Sequence, residues 1–193
     1  MAAPRDPEAT KARIFAAATA EFAAHGIAGA RIDRIAREAK ANKQLIYAYF
    51  GNKAELFSQV LEKRLTQLAV DIPVDADDLD GWLDRLMDYH RANPELIRLM
   101  YWEGLEYGAG AFPHEEERRK HYDRKVAAFA EAQQKGAISS DIPPADLLFM
   151  LLALVSWPTV QPHMRRVVTG DTEEDRERLR SSVRMAAHRM TRR

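Results

Sequence analysis

Apolar residues in this chain recur at spacings of three and four, and no run of β-branched residues alternates with polar ones, so nearly every segment can bury its apolar side only as a helix. The expected class is all-α, with about nine helices. One segment stands apart: residues 147–155, LLFMLLALV, are apolar around the whole helical circumference. Such a helix has to be covered on all sides rather than along one stripe, more than one small helical body supplies alone.

The boundaries follow from caps and breakers. Asp6, Pro7 and Glu8 read as an N-cap, a first-turn proline and an early acid, after which Ile14, Phe15, Ala18 and Phe22 form a stripe that stops at Gly26. Ile32, Ile35, Ala36 and Ala39 give a second helix of two turns, which needs neighbours to be stable. The run of Lys40, Ala41 and Asn42 breaks it, and Asn42 caps a third short helix. Asn52 and Glu55 suggest a capping box for a fourth, whose stripe of Leu56, Val60, Leu61, Leu65 and Leu68 is ended by Pro73. Residues 71–81, acidic and carrying Pro73, read as a seam between a head and a body. Beyond it, Pro94 opens a sixth helix, Gly136 closes a seventh, the two prolines 143 and 144 precede the apolar eighth, Pro158 and Pro162 kink or restart it, and Thr172 with Asp175 opens a ninth.

Net charge is zero, but it is unevenly spread: residues 1–64 carry 11 Lys and Arg against 7 Asp and Glu, and the rest 18 against 22. A basic head and an acidic body imply a polyanionic partner for the head. The chain has no cysteine, and its first ten residues are not a basic-then-apolar leader, which suits a cytoplasmic protein. Its longest apolar run is about half what a bilayer requires, so no membrane span is expected.

Two short helices joined by a three-residue turn and flanked by longer ones form the layout of a helix-turn-helix DNA reader. At about 100° per residue, Lys43, Gln44, Tyr47 and Ala48 share the outward face of the third helix, Ile46 and Phe50 point inward, and Leu45 and Tyr49 lie at the flanks. Lysine and glutamine match guanine and adenine edges, a tyrosine hydroxyl reaches phosphate, and a small alanine permits close approach. Lys53, in the first turn of the fourth helix, opposes the helix dipole, a cost that a phosphate neighbour would reverse.

The run RIDRIAREAKANKQLIYAYFGNKAELF, residues 31–57, resembles the DNA-binding segment of the TetR family of bacterial one-component repressors. The resemblance lies in Ile35 and Ala36, Ala39, the cluster Ile46, Tyr47, Tyr49 and Phe50, then Lys53, Leu56 and Phe57. It covers about a third of the chain; farther on, only helix number and order are similar. It implies a DNA-binding domain over residues 1–52 and a ligand-binding and dimerisation domain over 53–193. DNA contacts then fall on Arg31, Asn42, Lys43, Gln44, Leu45, Tyr47, Ala48, Tyr49 and Lys53. Three positions depart from the family pattern: Lys40 replaces a turn glycine, Arg31 a hydroxyl residue that would cap, and Gln44 a frequent glycine.

By the same resemblance the apolar eighth helix finds cover in a second copy, with Leu148, Leu151, Leu152, Val155, Leu179, Val183 and Met190 at a four-helix interface. Trp82, Leu86, Tyr89, Met100, Tyr101, Trp102, Tyr107, Tyr122, Phe129, Met150 and Trp157 suit an apolar small-molecule pocket, although each taken singly suits an ordinary core better. Arg98, Glu103 and Glu106 are its candidate orienting charges. Enzyme signatures fail one by one: residues 114–118 break the HExxH zinc pattern at Arg118, no histidine follows a carboxylate at the di-iron spacing, and residues 108–113 lack the third glycine of a dinucleotide loop. The expectation is a repressor without cofactor or metal that binds a palindromic operator as a homodimer and is released by an apolar or aromatic inducer. The competing reading is a helical ligand-binding or protein-interaction module with no DNA partner.

Overall fold

The computed structural model describes residues 6–192, and among them every regular element is a helix. There are ten: α1 (Pro7–Gly29), α2 (Ile32–Glu38), α3 (Lys43–Phe50), α4 (Lys53–Asp71), α5 (Leu79–Ala92), α6 (Pro94–Tyr107), α7 (Glu115–Gln134), α8 (Pro144–Val160), α9 (Pro162–Thr169) and α10 (Glu173–Thr191). The tenth element beyond the nine expected is α9. Pro158 is accommodated inside α8, and it is Pro162 that restarts the chain as a separate helix. No single helix among the described residues is long and apolar enough to cross a membrane.

The helices start where capping chemistry places them. The Asp6 side chain accepts from the Glu8 amide, that of Asn42 from Gln44, and that of Asp78 from Gly81. Thr172 and Asp175 complete a reciprocal box. At Asn52 only half the expected box forms: its side chain accepts from the Glu55 amide, while the Glu55 carboxylate turns to His114 at 3.1 Å.

Contacts divide the chain into two units. The first comprises the residues up to 67 together with 95–115, so it holds α1 to α3, most of α4, and α6 from its second residue on, more than the 1–52 span expected for a head. Its core is Ile14, Phe22, Ile35, Ile46, Leu56, Phe57, Leu61, Leu96 and Leu99, with Phe22 and Phe57 meeting edge to face at 5.2 Å. Gly26 interrupts α1 with φ +68° and ψ −178°, and the helix resumes for one turn to Gly29. The break falls where the glycine predicted it, but it is a kink rather than an end.

The second unit comprises residues 68–94 and 116–193. Leu79, Trp82, Leu83 and Leu86 of α5, Phe129 of α7, Leu147, Leu151 and Val155 of α8 and Ala187 of α10 form its core. Three acids spaced one turn apart on α5 pair with three bases on α10 in reverse order: Asp80 with His188 at 2.9 Å, Asp84 with Arg184 at 2.7 Å, and Asp88 with Arg180 at 2.5 Å. That ladder sets α5 and α10 antiparallel. The hydrogen bond from Arg180 holds the Asp88 carboxyl below its ordinary range despite partial burial.

Candidate nucleic-acid interface

The second and third helices pack as a pair with α1 behind them. Ile32, Ile35 and Ala36 of α2 and Ile46 and Phe50 of α3 are buried, and Phe50 is held edge to face by Phe15 at 5.1 Å. The Arg13 guanidinium donates to the Ala39 carbonyl across the end of α2. Lys40 turns the corner with φ +50°, the left-handed conformation for which a glycine would be suited.

With Ile46 and Phe50 anchored, the rest of α3 faces outward. Lys43, Gln44, Tyr47 and Ala48 are exposed, Tyr47 by 44%, and Leu45 and Tyr49 lie half-buried at the flanks. Asn42 is exposed and is already occupied as the N-cap through its side chain. Tyr49 has the Lys11 ammonium 5.4 Å from its ring centroid. This face is a ridge one helix wide bearing one cation, one amide, one phenol and a methyl, a set able to address base edges and phosphates.

Two cations are engaged in ways the sequence did not reveal. The Lys43 ammonium pairs with Asp33 of α2 at 2.9 Å, and that hydrogen bond raises its pKa. Both side chains are solvent-exposed, so the pair is readily exchanged for a nucleic-acid partner. Lys53 donates to the carbonyls of Ala28 and Ala30 at 3.2 and 3.3 Å. Its opposition to the α4 dipole is thus offset by the carbonyls at the end of α1, and no phosphate is needed to explain it.

Arg31 precedes α2 without a side-chain cap, as its replacement of a hydroxyl residue implied. Glu21 of α1 supplies the missing acceptor, its carboxylate accepting from the Arg31 amide at 2.8 Å and from Arg34 Nε at 2.7 Å. Burial pushes the Glu21 carboxyl up, but the hydrogen bonds from Arg34 and Arg31 outweigh it and hold the group below its ordinary range. The Arg31 side chain remains exposed beside α2.

The kink in α1 creates a second feature. With Gly26 out of helical conformation, the Ala23 carbonyl accepts from two side chains of α6, Arg98 Nε at 2.6 Å and Trp102 Nε1 at 3.2 Å. The Trp102 ring lies against Gly26, where an added Cβ would stand 2.7 Å from ring carbon Cε3. Trp102, expected in a ligand pocket, and Arg98, expected to orient a ligand, form the two-point attachment of α6 to α1. The sequence signal was the pairing of a mid-helix glycine with a distant tryptophan, which no local pattern connects.

The other pocket candidates divide. Trp82, Leu86 and Phe129 are buried core, Trp82 and Phe129 meeting at 5.8 Å. Tyr89, Met100, Tyr107, Tyr122 and Met150 are half-buried, and Tyr101 and Trp157 are 38% and 46% exposed. Glu103 and Glu106 act on the Tyr107 phenol, which burial and then these acids push up.

The expected subunit-contact residues also divide. Leu148, Leu151, Val155 and Val183 are each at most 5% exposed within the single chain, so they belong to its own core, while Leu152, Leu179 and Met190 are half-buried. What α8 leaves open is the opposite stripe, Phe149, Ala153 and Trp157, and α10 adds Met185. A spacing of four along α8 marks that stripe in the sequence, but on an all-apolar helix nothing local distinguishes it from the inner face.

Comparison with known proteins bears on both units. A family model described as bacterial regulatory proteins, tetR family, matches residues 14–60, and one described as tetracyclin repressor-like, C-terminal domain, matches residues 78–189. The chain is 60% identical over 188 residues, 97% of its length and 98% of the relative's, to the HTH-type transcriptional repressor SCO4008 of Streptomyces coelicolor. It is 34% identical over 109 residues, about half of either chain (53% and 51%), to the HTH-type transcriptional repressor NicS of Pseudomonas putida. Among solved structures, the transcriptional regulator SCO4942 of Streptomyces coelicolor superposes with a TM-score of 0.78 at 32% identity, covering 94% of this chain and 98% of that one.

Proposed function

This chain belongs to the TetR family of bacterial regulatory proteins and is a transcriptional regulator, and from that premise we propose that it is a repressor whose α3 reads operator DNA in the major groove. A dimer presents two such helices about 34 Å or a multiple of that apart on a roughly palindromic site. The observation that carries the reading is the division of α3 into a locked inner side, Ile46 and Phe50, and an exposed outer side, Lys43, Gln44, Tyr47 and Ala48.

The open stripe of Phe149, Ala153 and Trp157 on α8, with Met185 of α10, supports pairing through these two helices. Phe149 is 75% exposed, a position an isolated chain does not favour for so large an apolar ring. Two copies placing α8 and α10 together cover it.

Release requires an effector that prefers a dimer whose reading helices are wrongly spaced; an effector that binds both spacings equally shifts nothing. In the chain, α6 follows α5 of the second unit directly and is fastened to α1 through Ala23, so a change in the second unit has a covalent route to the reading head.

Selecting bound duplexes from a random pool and titrating one at rising salt tests the reading. A repressor shows a steep salt slope plus a sequence-dependent surplus. Tyr47→Ala should weaken the selected site by about 1–3 kcal/mol without altering thermal stability, since nearly half the ring is solvent-exposed. Equal affinity for selected and scrambled duplexes would defeat the proposal.

A further inference from the structure

The second unit contains a polar layer that neither the reading face nor the subunit stripe uses. Trp82 of α5 and Phe129 of α7 form a buried apolar layer. Eight residues away on each helix, in opposite directions and about 12 Å along the axes, stand His90 and His121, 3% and 4% exposed. Lys125 lies one turn from His121 on the same face of α7. Its charge acts on both imidazoles, so Lys125 lies near each.

The layer is unsatisfied. His90 is hydrogen-bonded to the Val155 backbone, yet its Nδ1 meets no protein group, and neither does Nε2 of His121. Lys125 has the Tyr122 ring 5.5 Å from its ammonium and no carboxylate partner among the described residues. The charges acting on His121 are Lys125, Arg124 and Arg118, all cations. Burial, reinforced by Lys125 at His90 and by Lys125, Arg124 and Arg118 at His121, lowers both imidazoles to about 4, and burial alone lowers Lys125 to about 8. At neutral pH the layer therefore holds two neutral imidazoles beside an ammonium that mostly keeps its proton. Buried polar atoms without partners oppose folding and are rare in native interiors. A core serving packing alone would place apolar side chains here.

We infer that this layer is the polar end of the effector site and that it takes an organic acid, the carboxylate meeting the Lys125 ammonium and the His121 Nε2–H, with Nδ1 of His90 left to accept from a hydroxyl on the same molecule. The inference rests on the proposed release by an effector. It follows from charge: one half-buried cation without a carboxylate partner is complemented by one anion. It also follows from hydrogen-bond roles. The backbone bond of His90 raises its pKa, so the ring donates there through Nε2, and Nδ1 of the neutral ring is an acceptor.

Calorimetric titration of the full-length protein with benzoate, 4-hydroxybenzoate, benzyl alcohol and benzylamine tests it. The two acids should bind at least tenfold more tightly than the alcohol or the amine, and 4-hydroxybenzoate more tightly than benzoate. Lys125→Met, which removes a half-buried charge that has no carboxylate partner and so does not threaten folding, should reduce the acids to within about twofold of the alcohol. His90→Phe should erase the margin between the two acids. An amine or alcohol that binds as well as the acids, acids that bind the Lys125→Met variant as they bind the parent, or no saturable acid binding would each overturn the assignment. Acid binding that leaves DNA affinity unchanged would uphold the site and remove the effector reading. DNA release by a compound indifferent to Lys125→Met would do the reverse.

Discussion

Replacing Gly26 by Ala tests the attachment of α6 to α1 most directly, because two independent penalties meet at one methyl group. The backbone there, φ +68° and ψ −178°, lies in a region almost reserved for glycine, and holding an L-residue in it costs about 1–3 kcal/mol. The new Cβ would also stand 2.7 and 2.8 Å from Trp102 ring carbons Cε3 and Cδ2. The ring cannot slide away freely, since its Nε1 is bonded to the Ala23 carbonyl, and such overpacking costs about 1–3 kcal/mol more. The sum, about 2–6 kcal/mol, lowers the melting temperature by roughly 5–20 °C for a chain of this size. Thermal unfolding of Gly26→Ala, Trp102→Leu and the double variant separates the terms. If the ring contact is real, Gly26→Ala costs about 1–3 kcal/mol less when Trp102 is already Leu. A Gly26→Ala protein that melts within a degree of the parent would refute both the kink and the contact.

Three other perturbations have definite expected outcomes. Lys40→Gly removes a left-handed lysine at φ +50° and should raise the melting temperature by about 1–4 °C, with a lower value counting against strain at that corner. Phe149→Glu should shift the sedimentation profile from dimer to monomer without lowering subunit helicity, whereas an unchanged dimer would place the subunit contact elsewhere. Asp175 is held at about 2 by hydrogen bonds from Thr172 and then Arg178, against an ordinary value of 3.8. Being depressed, it contributes stability that is present above about pH 4 and lost as pH falls toward 2. Asp175→Asn should therefore lower the urea midpoint more at pH 5 than at pH 2, and a gap that does not narrow as pH falls to 2 would contradict the assignment.

Local chemistry made the reading head legible. The inward and outward sides of α3 follow from an eight-residue pattern, and Ile46 at 1% exposure against Tyr47 at 44% shows why periodicity suffices: a short helix with two anchors has no rotational freedom left. The same holds for the caps at Asp6, Asn42 and Thr172, where donor and acceptor lie within three residues. What the sequence did not disclose was the choice among long-range partners. Lys53 had a phosphate as its obvious partner but found the end of α1, 23 and 25 residues back. Trp102 had a pocket as its obvious place but found a glycine kink 76 residues earlier.

The apolar helix α8 shows the same limit in another form. A stripe reveals its inner side only by contrast with polar residues, and this helix supplies almost none. Its orientation is decided instead by its neighbours: α5 and α10, fixed antiparallel by the ladder from Asp80 to Asp88, set the groove into which Leu148, Leu151 and Val155 drop. Because Leu148 and Phe149 are adjacent residues about 100° apart on the helix, burying one turns the other toward solvent, where Phe149 is 75% exposed. The open stripe is thus a geometric consequence of how the second unit closes its own core, which takes only half of a helix apolar all round and leaves the other half as the face proposed for a second copy.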